Sequence, residues 1–191
     1  MANGRVCTGF SKPYVAKYAV ASGEISYTDG MPLARGVDVS IEPETSEDNN
    51  FYADNVEAET ASGSFTGGTV NLTVDGLKTD AERMIMGLPE AGTDGFMAYD
   101  NTQSIPYVGI GFIARYMSDG VTSFVPYVLA KCVFSQVGNE AATQEDEIDW
   151  QTQELTASIM RGDDAKQTWK YVGNEYPTEA EAYTALTGKL S

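Results

Sequence analysis

Apolar positions along this chain recur mostly with a period of two. In residues 106–117 every second side chain is apolar, Val108, Ile110, Phe112, Ala114 and Tyr116, while Gly109, Gly111 and Arg115 fall on the other side. That pattern predicts a strand with one buried and one wet face. Asp119-Gly120 supplies residues that tolerate positive φ, which predicts a two-residue hairpin turn. The chain then returns over 124–134 with Phe124, Val128, Ala130, Cys132 and Phe134 on one face. A third run, 148–160, changes phase: Ile148 and Trp150 share one parity, Leu155, Ala157 and Ile159 the other. Strand side chains alternate strictly, so the slip at 151–154 requires a bulge, a bend or a strand that serves two surroundings.

Before this hairpin, 14–20 and 24–28 read as strands followed by a turn at Asp29-Gly30, and 37–41 as a strand with one wet face ending at Pro43. Residues 44–55 are polar except for Phe51 and Tyr52 and read as a long inter-strand loop. Asp48, Asn50 and Asp54 suggest a calcium loop, but Tyr52 and Ala53 stand where that template needs an oxygen ligand and a glycine. An Asx-rich turn is the expectation, with no metal. Residues 56–61 and 66–74 read as a hairpin, with Gly63 and Gly67-Gly68 marking a turn or bulge. The helical period enters twice. Thr79-Asp80-Ala81-Glu82 has the form of a capping box, with Met84, Ile85 and Leu88 at helical spacing, Gly87 as C-cap and Pro89 as stop. So short a helix is stable only against a sheet. Further on, a short strand is expected at 96–99 and another at 168–172, followed by a turn at Gly173-Asn174. A second capping box at 178–181 starts a helix carrying Ala182, Tyr183, Ala185 and Leu186 on one side.

The 191 residues suffice for one core, and the expectation is a single mainly β domain over 1–191. Within it, 1–13 would be an N-terminal arm and 162–191 a C-terminal extension. No apolar run reaches membrane-spanning length and the N-terminus has no apolar signal region, so synthesis and retention in a cytoplasm are expected. Cys7 and Cys132 allow a disulfide, although two thiols suit a reducing compartment better. With 0 histidines the commonest metal ligand and general base are missing. Gly109-Ile110-Gly111 lies inside a strand, not in a phosphate-binding turn. Carboxylate pairs such as Asp146 and Asp149 remain, but pairs arise by chance among 28 acids. Neither an enzymatic role nor a cofactor is expected.

Charge sharpens the picture. The net charge is -16, and residues 36–77 hold Asp38, Glu42, Glu44, Glu47, Asp48, Asp54, Glu57, Glu59 and Asp75 without one Lys or Arg. Residues 140–154 form a second base-free block. Nucleic acid is held by cations that displace counterions from phosphates, so tight binding is disfavoured. Single acids are ordinarily solvated surface, but two base-free blocks also suit an anionic wall.

Three stretches resemble the major tail protein, or tail tube protein, family of long-tailed bacteriophages. They are Asp48-Asn49-Asn50-Phe51-Tyr52-Ala53-Asp54-Asn55; Pro106-Tyr107-Val108-Gly109-Ile110-Gly111-Phe112-Ile113; and Lys131-Cys132-Val133-Phe134 followed by Glu147-Ile148-Asp149-Trp150-Gln151-Thr152. With the helix at 80–86 between the first two, the resemblance covers about residues 33–161. It implies an antiparallel β-sandwich or barrel-like sheet pair flanked by a helix. It also implies hexameric rings that stack through loops and terminal arms into a tube, and an anionic lumen through which duplex DNA passes without tight binding. The expected partners are further copies of the chain and the tape measure and tail-end proteins. Assembly would take place in the host cytoplasm, and the final location would be the virion tail, with no membrane contact. Under that reading Asp48, Asn49, Asn50, Phe51, Tyr52, Asp54, Asn55, Gln151 and Gln153 are expected at subunit interfaces. The alternative is a phage surface-decoration or adhesin-type binding module, and a carboxylate-dependent hydrolase stands third.

Overall fold

The computed structural model describes residues 4–53, 56–61, 63–90, 92–93, 95–139, 143 and 150–191, with the backbone alone described at 49–53 and 56–61. In chain order the strands are β1 (Val6–Ala21), β2 (Glu24–Pro32), β3 (Gly36–Thr45), β4 (Asn49–Ala53), β5 (Val56–Ala61) and β6 (Phe65–Val74). Helix α1 (Thr79–Met86) follows, then β7 (Val108–Ser118), β8 (Val121–Phe134), β9 (Gln153–Met160), β10 (Lys170–Val172) and α2 (Glu179–Lys189). The fold is mainly β and antiparallel, as the alternation predicts. One sheet runs β2-β1-β7-β8-β9-β6-β3 with β10 beside β8, while β4 and β5 form a sheet of their own. The large sheet does not close: β2 and β3 each keep a free edge. It curls nonetheless, because β3 comes up against β1, where a Cβ on Gly36 would lie 2.0 Å from the Phe10 ring.

The β7–β8 hairpin forms as expected, with Asp119 (φ 49) and Gly120 (φ 80) in its turn. Its faces differ from the sequence pattern. Residues 108–114 are buried on both sides, and Arg115 is the first exposed residue of β7. The cause is glycine: a Cβ on Gly111 would lie 2.6 Å from Leu186 and 2.7 Å from Leu190, so the missing side chains make room for α2. A second core layer results, with Ala182, Leu186 and Leu190 on Ala16, Tyr27, Ile113 and Val128. On β8 the expected single apolar face is split. A register shift between the partners of Val108 and Ile110 puts Leu129, Cys132 and Phe134 in the main core and Val128 under α2.

The far edge of β8 is divided, with 127–129 pairing with β10 and 131–134 with β9. The expected strand over 148–160 begins only at Gln153 and alternates strictly from there; Trp150 is 83% exposed before it, and Ile148 lies outside the described residues. The change of phase therefore falls where the strand starts.

Several expectations for the first half are corrected. From Val6 onward the expected arm is strand, paired along β7 and tied by Arg5 to Glu175. Pro13, which has no N–H to give, sits in the register shift between Ser11 and Tyr14, where Lys12 takes φ 55. The β1–β2 turn is Ser22-Gly23 (φ 55 and 81), whereas Asp29-Gly30 lies inside β2 opposite a register shift. Pro43 does not end β3, because an edge strand loses nothing on its free side. The expected loop 44–55 contains the end of β3 and all of β4, which pairs with β5. The expected pairing of 56–61 with 66–74 is absent: β6 pairs with β3 and β9.

Helix α1 begins one residue earlier than the capping box requires. Lys78 is its N-cap, with no side-chain capping bond, and Gly87 (φ 65) closes its far end. Its Ala81, Met84, Ile85 and Met86 are buried in the main core. In α2 the Thr178 half of the box forms, its Oγ1 accepting the Glu181 N–H at 3.3 Å. Residues 96–99 are not a strand. No turn reverses the chain at Gly173-Asn174, which continues beside β8 until Tyr176 and Phe124 exchange two backbone hydrogen bonds of 2.9 Å. Ala182, Leu186 and Leu190 of the expected C-terminal extension are part of the core.

Candidate assembly surfaces

The outward side of β3, β6 and β9 is a polar face built by alternation from Asp38 onward. Registered side chains run in three rows: Asp38, Thr73 and Glu154; Ser40, Asn71 and Thr156; Glu42, Thr69 and Ser158. The intervening Val39, Ile41, Val70, Leu72, Leu155, Ala157 and Ile159 point into the core. Thr156 Oγ1 donates to Asn71 Oδ1 at 3.1 Å, tying the middle row. All nine outward residues are acids, hydroxyls or an amide, with neither a cation nor an apolar side chain. Such a face has short neutral dipoles for water and a field that repels phosphate, and nothing on it can displace counterions from DNA. The alternation in 38–42, 69–74 and 153–160 carried this signal, whereas Val37, expected on the buried face, is exposed at a register shift; the order of the strands, which brings the rows together, did not show in the sequence.

The expected interface residues fall into two groups at opposite ends of β6. Asp48 is exposed, and its Oδ1 accepts the Gly63 N–H at 2.7 Å, which holds the base of the β4–β5 hairpin. The hairpin leaves the large sheet where Ser46 N–H bonds Ser64 O at 2.9 Å and Ser46 Oγ accepts the Ser64 N–H at 3.0 Å. Asn49, Asn50, Phe51 and Tyr52 lie on β4, and Asp54 and Asn55 lie outside the described residues. Gln153 instead pairs with Val74, nine residues along from Phe65 and so about 30 Å from the hairpin. Its side chain works within the chain: Oε1 accepts the Leu77 N–H at 2.9 Å, and Nε2 donates to Gly138 O at 3.3 Å and Asn139 Oδ1 at 3.1 Å. Gln151 is exposed beside Trp150, on the rim of a cleft of about 650 Å³ that also takes in Asp75, Asn139 and Glu154.

One charge is buried among the described residues, and sequence reasoning passed over it. Lys131 on β8 lies 4.5 Å from the Tyr107 ring centre and 5.4 Å from that of Tyr18, and its Nζ donates to Asp163 Oδ2 at 2.7 Å. Tyr18 Oη donates to the same carboxylate oxygen at 3.1 Å and accepts the Asp163 N–H at 2.9 Å. The hydrogen bond from Lys131 holds the Asp163 carboxyl below the usual carboxylate range, against partial desolvation. The cluster fastens the segment after β9 to β1 and β8, a structural task. Asp146 and Asp149 lie outside the described residues. Among the described residues no group of three metal-ligating side chains occurs, and no helix is long and apolar enough to cross a membrane.

No family model matches this chain, and no curated protein sequence matches it.

Proposed function

We propose that this chain is a structural subunit that polymerises into stacked six-membered rings forming a phage-type tail tube. The base-free outward face of β3, β6 and β9 carries the reading. A conduit for DNA ejection needs a wall that duplex DNA touches without being held, and Asp38, Glu42 and Glu154 set among Ser, Thr and Asn make such a wall. Two further features support it. The free edges of β2 and β3 can pair with neighbouring copies around a ring, and the β4–β5 hairpin stands apart from the large sheet as a contact element. The partners are then other copies, the tape measure and tail-end proteins, and passing DNA; the location is the virion tail. Negative-stain microscopy of concentrated purified protein tests the proposal. Rings or tubes with a central channel are expected, and a monodisperse monomer under all conditions, with no rings in a tail preparation, overturns it.

A further inference from the structure

Cations are unevenly distributed on this acidic molecule. A cleft of about 780 Å³ opens between the β1 bulge, the β2–β3 connection and the start of α1, and its lining includes Lys12, Arg35, Lys78, Asp75, Asp80 and Tyr183. A smaller cleft beside it shares Met31 and Asp80 and adds Lys17, Arg83 and Asp29. Five of the chain's 12 bases thus line the two clefts with three of its 28 acids, while Glu90, 3.6 Å from Arg83, and Glu179, which accepts a hydrogen bond from Ser11 of the lining, lie close by. Lys17, Arg35 and Arg83 are paired there with Asp29, Asp75 and Asp80 at 2.9, 3.1 and 3.8 Å. Among the described residues Lys12 and Lys78 form no ion pair, although both are exposed in the larger cleft. Lys12 is held at φ 55 by the bulge, with its ammonium 5.8 Å from the centre of the Tyr183 ring.

The opposite end of β3 is the electrostatic complement. Gly36 lines the cleft, and nine residues on, β3 ends at Thr45 in a stretch that carries Glu42, Glu44, Glu47 and Asp48 without a base. Glu44 and Glu47 are exposed and form no ion pair among the described residues. A strand of that length separates the two ends by about 30 Å, so one copy cannot satisfy its own cleft.

We propose that the cleft holding Lys12 and Lys78 receives the acidic end of β3, through Glu44 and Glu47, from a second copy of this chain. The contact joins unlike surfaces, so it repeats head to tail and builds a ring or a stack rather than a closed dimer. It rests on the tube reading and gives that assembly one of its joints. Complementary charge of this kind sets register and speeds encounter more than it adds affinity.

Charge exchange tests it in the full chain, with circular dichroism confirming that each variant folds. K12E/K78E and E44K/E47K are each expected to raise the concentration for half-assembly roughly tenfold or more, and the fourfold variant is expected to recover most of that loss. Zero-length carbodiimide coupling of mixed light and heavy protein should join Lys12 or Lys78 to Glu44 or Glu47 between copies. Wild-type tubes that form while the double variants assemble equally well, or while the fourfold variant is no better than they are, overturn this joint and leave the tube reading standing. A wild-type chain that never associates overturns both.

Discussion

Lys131 and Asp163 differ so much in exposure that breaking their pair from either side should have unequal effects. The Lys131 side chain keeps 11% of its surface and that of Asp163 keeps 53%. Lys131→Met preserves the packed stem and leaves a carboxylate that water and the Tyr18 hydroxyl can still solvate. Its cost should resemble that of losing a surface pair, below about 1 kcal/mol. Asp163→Asn leaves a nearly buried ammonium with one neutral acceptor and two ring faces. Stranding a buried charge costs about 3–5 kcal/mol in full, and the half-exposed partner site admits enough water to bring that to about 2 kcal/mol. At about 2–4 °C per kcal/mol for a chain of this size, Asp163→Asn should melt roughly 4–8 °C below wild type and Lys131→Met no more than about 4 °C below. The pH dependence has a definite sign. The folded-state pKa of Asp163 is lowered, so its contribution is present above the usual carboxylate range and is lost as pH falls through the lowered value. Differential scanning fluorimetry from pH 7 down to about 3 should show the gap between wild type and Asp163→Asn narrowing at the acid end. Equal losses in the two variants, or a larger loss in Lys131→Met, would mean that the ammonium is not the desolvated member of the pair.

Three other perturbations bear on the fold. Gly111→Val drives methyl groups into Leu186 and Leu190 and should cost about 1–3 kcal/mol, partly recovered by adding Leu186→Ala; unchanged melting would mean that α2 does not pack on β7. Replacing residues 47–63 by two glycines joins Ser46 to Ser64 where their backbones already bond. That variant should melt within a few degrees of wild type, as expected for a shortened surface connection, yet fail to form tubes; an unfolded product would place the hairpin in the core. Burial pushes the Cys132 thiol well above its ordinary pKa while Cys7 is exposed, so a thiol reagent should label one cysteine per folded chain and two in denaturant. Rapid labelling of both in native buffer would contradict the burial of β8.

What the sequence revealed followed from local rules. Asp119-Gly120 marks its hairpin because only a few residues accept positive φ, and β9 is legible from Leu155, Ala157 and Ile159 because one of its faces is wet. The β7 pattern misled because Gly109 and Gly111 look like a solvent face when they are clearances, Gly109 for the Tyr27 ring and Leu190 and Gly111 for Leu186 of a helix some seventy-five residues later in the chain. Long-range pairing was equally hidden. Nothing local to 56–61 distinguishes a partner at 49–53 from one at 66–74, and Ser22-Gly23 makes a turn with weaker residues than Asp29-Gly30, which the structure uses as a bulge. At the candidate site the polar rows were present as alternation in three separate segments. Their union depends on β9 inserting between β8 and β6, a matter of topology. Lys131 was passed over because a lysine within an apolar strand acquires its meaning from Asp163, Tyr18 and Tyr107, all distant in sequence.

The most direct test of the central claim is a helical reconstruction of the assembled particle at side-chain resolution. A hollow tube is expected whose lumen is lined by the β3–β6–β9 face, with Asp38, Glu42 and Glu154 of every copy turned toward the axis. A tube with that face on its outside or buried between copies, or an assembly without a channel, would contradict it.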